Sequence, residues 1–303
     1  KNTHSFVDDL RNNDIQIYIN GKYFCRSEAM ISVFDSGFLL GDGVWEGIRL
    51  HNGRLLFLDD HIERLFAGAS SLSIDIGASP NDIVEILNNL VEINSMRSHV
   101  HIRLVVSRGI KTTPYQHPDA TCPGSTIVAI PEYKKPLPSL YDTGISLVSV
   151  ETRRGDLRVL DPRVNSLNKL NCILACIEAD KKGADEGLML DLNGNVSTCN
   201  STNFFFVKDR KLYTSSGSAC LNGITRSKAI HLASSDGIDV IEGDFSIQDV
   251  YDADEIFVTG TFAGILPATN LDSHTFSIGP ITKRIQALYH NLINNKVSKY
   301  EEQ

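Results

Sequence analysis

The sequence of 303 residues lacks long apolar runs and any excess of positive charge. A membrane-spanning helix needs roughly 18 consecutive apolar residues. No such run occurs, so we predict no contact with a membrane core. The net charge of −8 leaves no basic face for nucleic acid or for an anionic membrane surface, and we predict neither as a partner. A small anionic ligand is still compatible with this charge, because a phosphate needs only a local pocket.

Cysteine is scarce and unpaired, with none of the six residues in a Cys-x-x-Cys motif. Cys172 and Cys176 stand one helical turn apart, but no histidine or acidic cluster accompanies them. We therefore predict that both pack in the core and that they bind no metal. Free thiols are typical of a reducing compartment, and residues 1–14 are polar, with no apolar signal core. The sequence thus predicts a cytoplasmic protein.

The overall composition is that of a soluble globular protein, with 22% charged and 42% hydrophobic residues. Strand and helix patterns are mixed in both halves without a strict βαβ rhythm, which favours an α+β fold. The proline-rich, charged stretch 131–138 is the best linker candidate. We predict a leader at 1–14, a small N-terminal α/β domain at 15–133, an interdomain linker at 134–143 and a large C-terminal α+β domain at 144–303.

Two local patterns in the second half predict particular elements. One apolar face repeats at helical spacing, formed by Leu170, Ile173, Leu174 and Ile177. The turn signal Asn193-Gly194 lies between the apolar runs 188–190 and 204–207, which predicts a hairpin of those two strands.

Two loops carry donors suited to an anion. The segment Asn222-Gly-Ile-Thr-Arg226 directly precedes a helical pattern. Glycine permits close approach of the backbone, and the free N–H groups of Ile224 and Thr225 would cradle an anion. A plain helix cap by Thr225 is the alternative. The loop 259–264 follows a predicted strand and offers further hydroxyl and amide donors.

Six segments occur in a characteristic order: DSGFLLGDGVWEGIR (35–49), HIERL (61–65), DPRVNSLNKLN (161–171), EGLMLDLNGNVSTCNSTNFFFV (186–207), LNGITR (221–226) and VTGTFAGILP (258–267). Together they resemble the pyridoxal-phosphate fold-type IV family, the class IV aminotransferases. This family includes branched-chain and D-amino acid aminotransferases and aminodeoxychorismate lyase. The resemblance covers about residues 15 to 295. It implies a two-domain, D-amino acid aminotransferase-like α+β fold with pyridoxal 5′-phosphate (PLP) in the cleft. It also implies a homodimer in which loops of one subunit shape the substrate pocket of the other.

The same resemblance assigns residues to the cofactor phosphate. Arg64 would grip it, together with Gly223, the backbone amides of Ile224 and Thr225, and Thr261. A fixed cation, a helix N-terminus and hydroxyl donors suit a dianion.

The resemblance also implies a small amino donor and a keto acid as partners. Trp45 would line the substrate pocket, and a core aromatic is the equal alternative. Arg103 and Arg108 are candidates to bind a substrate carboxylate. For each arginine, a surface or structural ion pair is the alternative.

The chain departs from the family at its central lysine. Asn165 stands at the family's Schiff-base position, and an amide cannot form an imine with the cofactor aldehyde. One helical turn later, where the family often has a tyrosine or arginine near the phenolic oxygen of the cofactor, this chain has Lys169. That oxygen is bonded to the ring carbon next to the one that carries the aldehyde, so a lysine there would lie close to the reactive carbon. We hypothesise that Lys169 is catalytic and has taken over the Schiff-base role. The alternative is a salt bridge to the phenolate or phosphate without imine chemistry.

A second departure is Thr198, which replaces the family glutamate that keeps the pyridine nitrogen protonated. A hydroxyl can hydrogen-bond an unprotonated nitrogen but cannot hold a proton there as a carboxylate does. This change should slow transamination more than β-elimination or racemisation, which need less electron withdrawal. Asn203 is expected beside the cofactor as well, and Cys199 is expected to serve packing.

Three functions are therefore open. The first is a PLP-dependent aminotransferase-like enzyme that acts on a small amino acid or amine through Lys169. The second is a PLP-dependent lyase or racemase on the same scaffold, favoured by Thr198. The third is a non-catalytic ligand-binding pseudoenzyme, favoured by Asn165. Retention of Arg64, Thr261 and the 222–226 loop counts against a complete loss of ligand binding.

Overall fold

A computed structural model of the chain describes residues 3–295. The first two residues of the predicted leader, and residues 296–303 of the predicted large domain, lie outside this range. Within it, no helix is both long and apolar enough to span a bilayer.

The first half builds one antiparallel sheet of six strands in the order β2-β1-β6-β5-β3-β4. Its strands are β1 (Gln16–Ile19), β2 (Lys22–Cys25), β3 (Gly43–His51), β4 (Arg54–Leu55), β5 (Val100–Ser107) and β6 (Thr126–Tyr133). Three helices accompany it: α1 (Ser36–Leu40), α2 (Leu58–Ser71) and α3 (Pro80–Ile93). Alternate residues of β5, such as Ile102 and Leu104, are fully buried against α2 and α3, as the period of a half-buried strand requires.

The second half builds a mixed nine-stranded sheet in the order β12-β11-β10-β13-β14-β7-β8-β9, with β15 beside β14. The strands are β7 (Ile145–Ser149), β8 (Glu186–Leu190), β9 (Val196–Cys199), β10 (Asn203–Lys208), β11 (Lys211–Ser215), β12 (Val240–Gly243), β13 (Glu255–Gly260), β14 (Gly264–Leu271) and β15 (His274–Thr275). The helices are α4 (Ser139–Thr143), α5 (Leu170–Lys181), α6 (Ile224–Ser235), α7 (Ile247–Tyr251) and α8 (Pro280–Asn294). The predicted linker, 134–143, lies between the two sheets in sequence.

The hairpin prediction is wrong in its second strand. Across Asn193-Gly194, β8 pairs with β9, so that Leu188 lies opposite Cys199. The apolar run 204–207 belongs to β10, which lies between β11 and β13. Burial does not distinguish the two candidates, because β9 and β10 are both buried along most of their length. The connection from β8 to β9 is the shorter one, and only it allows a tight turn.

The helix α5 forms where it was predicted, but its apolar stripe faces outward. The four stripe residues Leu170, Ile173, Leu174 and Ile177 are all 45% exposed or more. The buried face carries Ala175 and Ala179, because Gly187 on β8 allows the helix backbone to come close. The prediction that Cys172 and Cys176 pack in the core is therefore wrong, since Cys176 is exposed and Cys172 is only half-buried.

A short extended segment ties the two sheets together just before α5. The backbone N–H of Trp45 on β3 donates to the carbonyl of Asn165 at 3.0 Å. The N–H of Leu167 donates back to the carbonyl of Gly43 at 2.9 Å. This pairing places the start of α5 against β3 and fixes the geometry of the cavity between the sheets.

Candidate active site

One cavity of about 310 Å³ lies where the two sheets meet. Strand β3, helix α2, the start of α5, the loop after β9, the start of α6 and the turn after β13 contribute to its wall. Ten of the eleven residues singled out from the sequence line it: Lys169, Arg64, Thr198, Asn203, Gly223, Ile224, Thr225, Thr261, Trp45 and Arg103.

The eleventh residue, Arg108, does not line the cavity. Its guanidinium is paired with Asp42, with Nε 2.7 Å from Oδ2, and it also donates to the carbonyls of Leu72 and Ser73. Arg108 thus forms the structural ion pair raised as the alternative above. Its guanidinium is already bonded to Asp42 and to two backbone carbonyls. The prediction that Arg108 binds a substrate carboxylate is therefore wrong.

Arg64 is held at one end of the cavity by a buried acid. Its Nε and Nη2 each lie 2.7 Å from a carboxylate oxygen of Glu46, in the bidentate geometry that fixes a guanidinium plane. His61 Nδ1 lies 2.7 Å from the same carboxylate, and Arg64 Nη1 donates to the carbonyl of Asn222. Burial alone would raise the pKa of the Glu46 carboxyl, but the hydrogen bonds from Arg64 and His61 outweigh it and lower that pKa. Glu46 is therefore a carboxylate at neutral pH.

The start of α6 faces the same end. Its N-cap is Gly223, and no side chain caps the helix, so the first backbone N–H groups, including those of Ile224 and Thr225, have no partner within the helix. Glycine is required at 223 by close approach, because a Cβ there would lie 2.2 Å from Asn203 Oδ1. The helix start, the Arg64 cation and Thr261 are the parts of the wall suited to a phosphate.

Lys169 and Asn165 form a hydrogen-bonded pair in the wall. Lys169 Nζ donates to Asn165 Oδ1 at 3.0 Å, and Asn165 Nδ2 donates to the carbonyl of Trp45 at 2.7 Å. The Lys169 amine also lies 5.4 Å from the centre of the Trp45 ring. Burial, assisted by the cations Arg154 and Arg103, lowers the pKa of Lys169 to about 8. A substantial fraction of this amine is therefore neutral near physiological pH.

Thr198 lies in the wall with its hydroxyl hydrogen already committed. Its Oγ1 donates to the carbonyl of Thr202 at 2.7 Å, so the hydroxyl is left mainly as an acceptor. Asn203 Nδ2 donates to the carbonyl of Leu221 at 2.8 Å and does not supply a charge. Burial raises the pKa of Cys199 well above that of a free thiol, in keeping with a packing role.

The cavity wall is cationic although the chain is acidic. Arg64, Arg103, Arg154 and Lys169 line it, and no aspartate or glutamate does so among residues 3–295. Two buried wall atoms, Trp45 Nε1 and Thr259 Oγ1, have no hydrogen-bond partner within that range. Buried polar groups left in this way are donors available to a ligand.

Several wall residues were not predicted from the sequence. They include Thr3, His4, His101, Arg154 and Cys172. The only sequence signal for Arg154 is its position shortly before the recognised segment 161–171. Thr3 and His4 offered none, because they belong to the predicted leader and reach the cavity only through the tertiary fold.

Comparison with known proteins agrees with this fold and cavity. The model of the amino-transferase class IV family matches residues 43–271. A candidate branched-chain-amino-acid aminotransferase of Methanocaldococcus jannaschii is 38% identical over 92% of this chain and 96% of its own length. The D-alanine aminotransferase of Bacillus licheniformis is 32% identical over 94% and 99%. The crystal structure of an aminotransferase from Brucella abortus with bound PLP has a TM-score of 0.81 and 26% identity, over 92% and 99%.

The two-sheet fold around a cationic cleft is that of fold-type IV PLP proteins. The chain belongs to the class IV aminotransferase family, whose members are transferases that use PLP. The wall fits this cofactor, because Arg64, the open start of α6 and the unpartnered donors supply a phosphate cradle and ring contacts. When bound, PLP supplies an amine-reactive aldehyde and a ring that withdraws electrons.

Substitution of Glu46 by glutamine should reduce stability by about 3 kcal/mol at pH 7, because it leaves the Arg64 guanidinium without its buried counterion. The matched control is Glu63→Gln on α2, next to Arg64 in sequence, where the side chain is exposed and a change within about 0.5 kcal/mol is expected. Urea unfolding of the three proteins measures both values.

The stability difference between wild type and Glu46→Gln should also depend on pH. Because the pKa of Glu46 is lowered in the folded state, its stabilisation is present above the unfolded pKa and is lost as the pH falls through the folded pKa. The gap between wild type and Glu46→Gln should shrink on acidification. A gap that stayed constant down to the acid transition would contradict the ionic role.

Proposed function

We propose that the protein is a PLP-dependent, aminotransferase-like enzyme that acts on a small amino acid through Lys169. The observation that carries the proposal is the 3.0 Å hydrogen bond between Lys169 Nζ and Asn165 Oδ1 inside the cavity. Asn165 occupies the position of the family lysine, so the Lys169 amine lies next to the end of the side chain that replaced it. The covalent bond to the cofactor aldehyde is assigned to this amine.

The electrostatics of the cavity favour this role. Neutral amines are nucleophilic and ammonium groups are not, and the pKa of Lys169 of about 8 leaves part of the amine neutral at neutral pH. Arg64 and the N–H groups of Ile224 and Thr225 are assigned to the phosphate, a dianion that a cation and a helix start both stabilise. Thr261, which also lines the cavity, is assigned as a further hydroxyl donor.

The charge of the wall favours an amino acid over a simple amine as substrate. Arg103 stacks on Trp45, with its Cζ 3.6 Å from the ring centre, and no salt bridge engages it among residues 3–295. An α-carboxylate would satisfy this arginine. A diamine would bring a second cation into a wall that already carries several and that has no acidic residue in the described chain. We assign Trp45 and Arg103 to the substrate and a keto acid to the second half-reaction.

Borohydride reduction in the presence of PLP tests the central assignment. The pyridoxyl label should map to Lys169 by peptide mass spectrometry, and Lys169→Arg should abolish labelling while keeping the charge. Lys182→Arg, at the other end of α5, is the matched control and should label as wild type does. Between pH 6.5 and 9 the rate of attachment should rise with a midpoint near 8, because the neutral amine is the reacting form. An ordinary lysine would have its midpoint near 10.4, and roughly 2.4 pH units separate the two cases.

A label on another lysine would refute the assignment to Lys169. Bound PLP without any reducible bond would instead favour the pseudoenzyme. Absence of PLP binding would refute the cofactor proposal for this chain.

A lyase or racemase is the second candidate, favoured by Thr198. Its hydroxyl hydrogen is donated to Thr202, and no carboxylate of the described chain lines the cavity, so nothing acidic is offered to a ring nitrogen. Transamination depends more on a protonated ring than racemisation or β-elimination does.

Substitution of Thr198 by glutamate separates these candidates. The variant should raise amino transfer to pyruvate or 2-oxoglutarate, relative to racemisation, by roughly tenfold or more, because a carboxylate favours the protonated ring. Thr198→Ser keeps a neutral hydroxyl and is the matched control. Chiral chromatography of a panel of L- and D-amino acids measures both products. Equal ratios in the two variants would remove Thr198 from the argument.

We also propose a homodimer that covers the α5 stripe. A continuous apolar stripe of Leu170, Ile173, Leu174 and Ile177 is unusual on a free surface. Further exposed apolar residues occur in the 30–40 segment, and Gly41, which follows it, packs against Asn168 just before α5. An exposed apolar patch of this kind suits a twofold interface, in which the same patch of both subunits meets. Six free cysteines support a reducing compartment, and we place the protein in the cytoplasm.

Substitution of Ile173 by aspartate should weaken the dimer about 100-fold or more, because a buried charge at an interface centre has no partner. Leu292→Asp on α8 introduces the same charge at a 38% exposed apolar site away from the stripe and should leave the dimer intact. Sedimentation velocity over a concentration series measures the dissociation constants. A monomeric wild type, or equal weakening in both variants, would contradict the assigned interface.

A further inference from the structure

We propose that residues Thr3–Phe6, here termed the N-terminal strap, form a wall of the cavity that controls access to it and retention of its ligand. The proposal rests on the proposed function for the identity of that ligand. Thr3 and His4 both line the cavity. Their contacts place them against the large sheet and against the segment that joins the two sheets.

The first anchor of the strap is a buried carboxyl group. Thr3 is only 2% exposed, and its hydroxyl donates to Glu186 on β8. The same carboxyl accepts hydrogen bonds from Ser201 Oγ at 2.6 Å and from Thr202 Oγ1 at 2.7 Å. Ser201 and Thr202 belong to the cavity loop after β9. One acid that does not line the cavity therefore holds both the strap and the loop in place.

The second contact is a stack of aromatic rings. The His4 ring lies parallel to Phe262, with centroids 5.8 Å apart and an interplanar angle of 7°. His101 meets the same phenyl ring edge-on at 5.9 Å. All three rings line the cavity. The strap thus lies against one face of Phe262 and forms part of the cavity wall on that side.

The far end of the strap is fixed to the segment between the sheets. Phe6 forms a β-bridge with Pro136. Lys134 Nζ lies 4.6 Å from the centre of the Phe6 ring and 4.8 Å from that of Phe262, so one cation links the two rings. With Thr3 tied to β8 and Phe6 tied to the 134–136 segment, the strap spans the cavity wall between two fixed points.

This arrangement makes Thr3 and His4 positioning residues rather than catalytic ones. The Thr3 hydroxyl is committed to Glu186, and His4 acts by covering Phe262. Loosening the strap should change how fast molecules enter and leave the cavity and should leave the reactive amine unchanged.

Fluorescence of Trp45 tests the proposal without any ligand. It is the single tryptophan of the chain, and it lines the cavity. In the cofactor-free protein, Thr3→Val and His4→Ala should each raise the acrylamide quenching constant about twofold or more, because loss of an anchoring contact increases local opening by roughly tenfold. The control is Val7→Ala, since Val7 follows the strap and is 61% exposed. It should quench as wild type does.

Release of PLP provides the second readout. Wild type and variants are loaded with PLP and diluted into an excess of apo-protein scavenger. The two strap variants should release PLP about tenfold faster, in proportion to local opening, and Val7→Ala should not. In turnover, KM should rise while kcat stays near wild type.

The outcomes separate this proposal from the function on which it rests. If wild type binds no PLP, the proposed function fails, and the quenching series alone decides on the strap. If quenching and PLP release are the same in wild type, His4→Ala and Thr3→Val, the strap does not control the cavity. Thr3→Val removes one hydrogen-bond partner of the buried Glu186 carboxyl. If that variant does not fold, His4→Ala, which leaves the Thr3–Glu186 contact in place, decides on the strap.

Discussion

The pairing of the 165–167 segment with β3 is the contact on which the site depends. Two backbone hydrogen bonds and the Asn165 side chain fasten this segment to Trp45 and Gly43. They bring the large sheet against the small one, and they set where α5 begins and therefore where the Lys169 amine lies. This pairing, here termed the seam, therefore fixes the position of Lys169, on the side of the large sheet, relative to Trp45 on the small sheet.

The seam also explains how asparagine is accommodated at position 165. Its amide donates to the Trp45 carbonyl and accepts from Lys169, so both ends of a neutral side chain are satisfied. An ammonium group could not accept a hydrogen bond from Lys169, and two neighbouring cations would repel each other. Asn165 and Lys169 are therefore compatible with each other in a way that two lysines at these positions would not be.

Site residues that lie in local sequence motifs could be predicted from the sequence, whereas those that depend on contacts with distant parts of the chain could not. Arg64, Gly223 and Lys169 lie inside local motifs through which the family resemblance assigned them, and the fold brings all three to one cavity. The assignment of Arg108 to the substrate was wrong, because the sequence does not reveal that its guanidinium is bonded to Asp42 and to two backbone carbonyls. Thr3 and His4 were missed because their partners, such as Glu186, lie far away in the sequence. Such contacts exist only once both sheets are assembled.

For helix α5, the sequence predicted the helix but not which of its faces is buried. Periodicity identifies an apolar face but cannot tell whether that face is covered by the same chain or by another one. Here Ala175 and Ala179 cover β8, and the larger residues face outward. A pattern that would ordinarily mark the core thus lies on the surface of the single chain.

If the proposed dimer covers that outward face, the order of the start of α5 depends on protein concentration. Lys169 is the N-cap of α5, and the exposed stripe begins with the next residue, Leu170. The first turn of a helix is its least secured part, because its N–H groups lack partners within the helix. Any molecule that buries Leu170 also steadies the residue beside it. In the proposed dimer, self-association would therefore also steady the proposed reactive amine of Lys169, and dilution would loosen that amine before it disturbed either sheet.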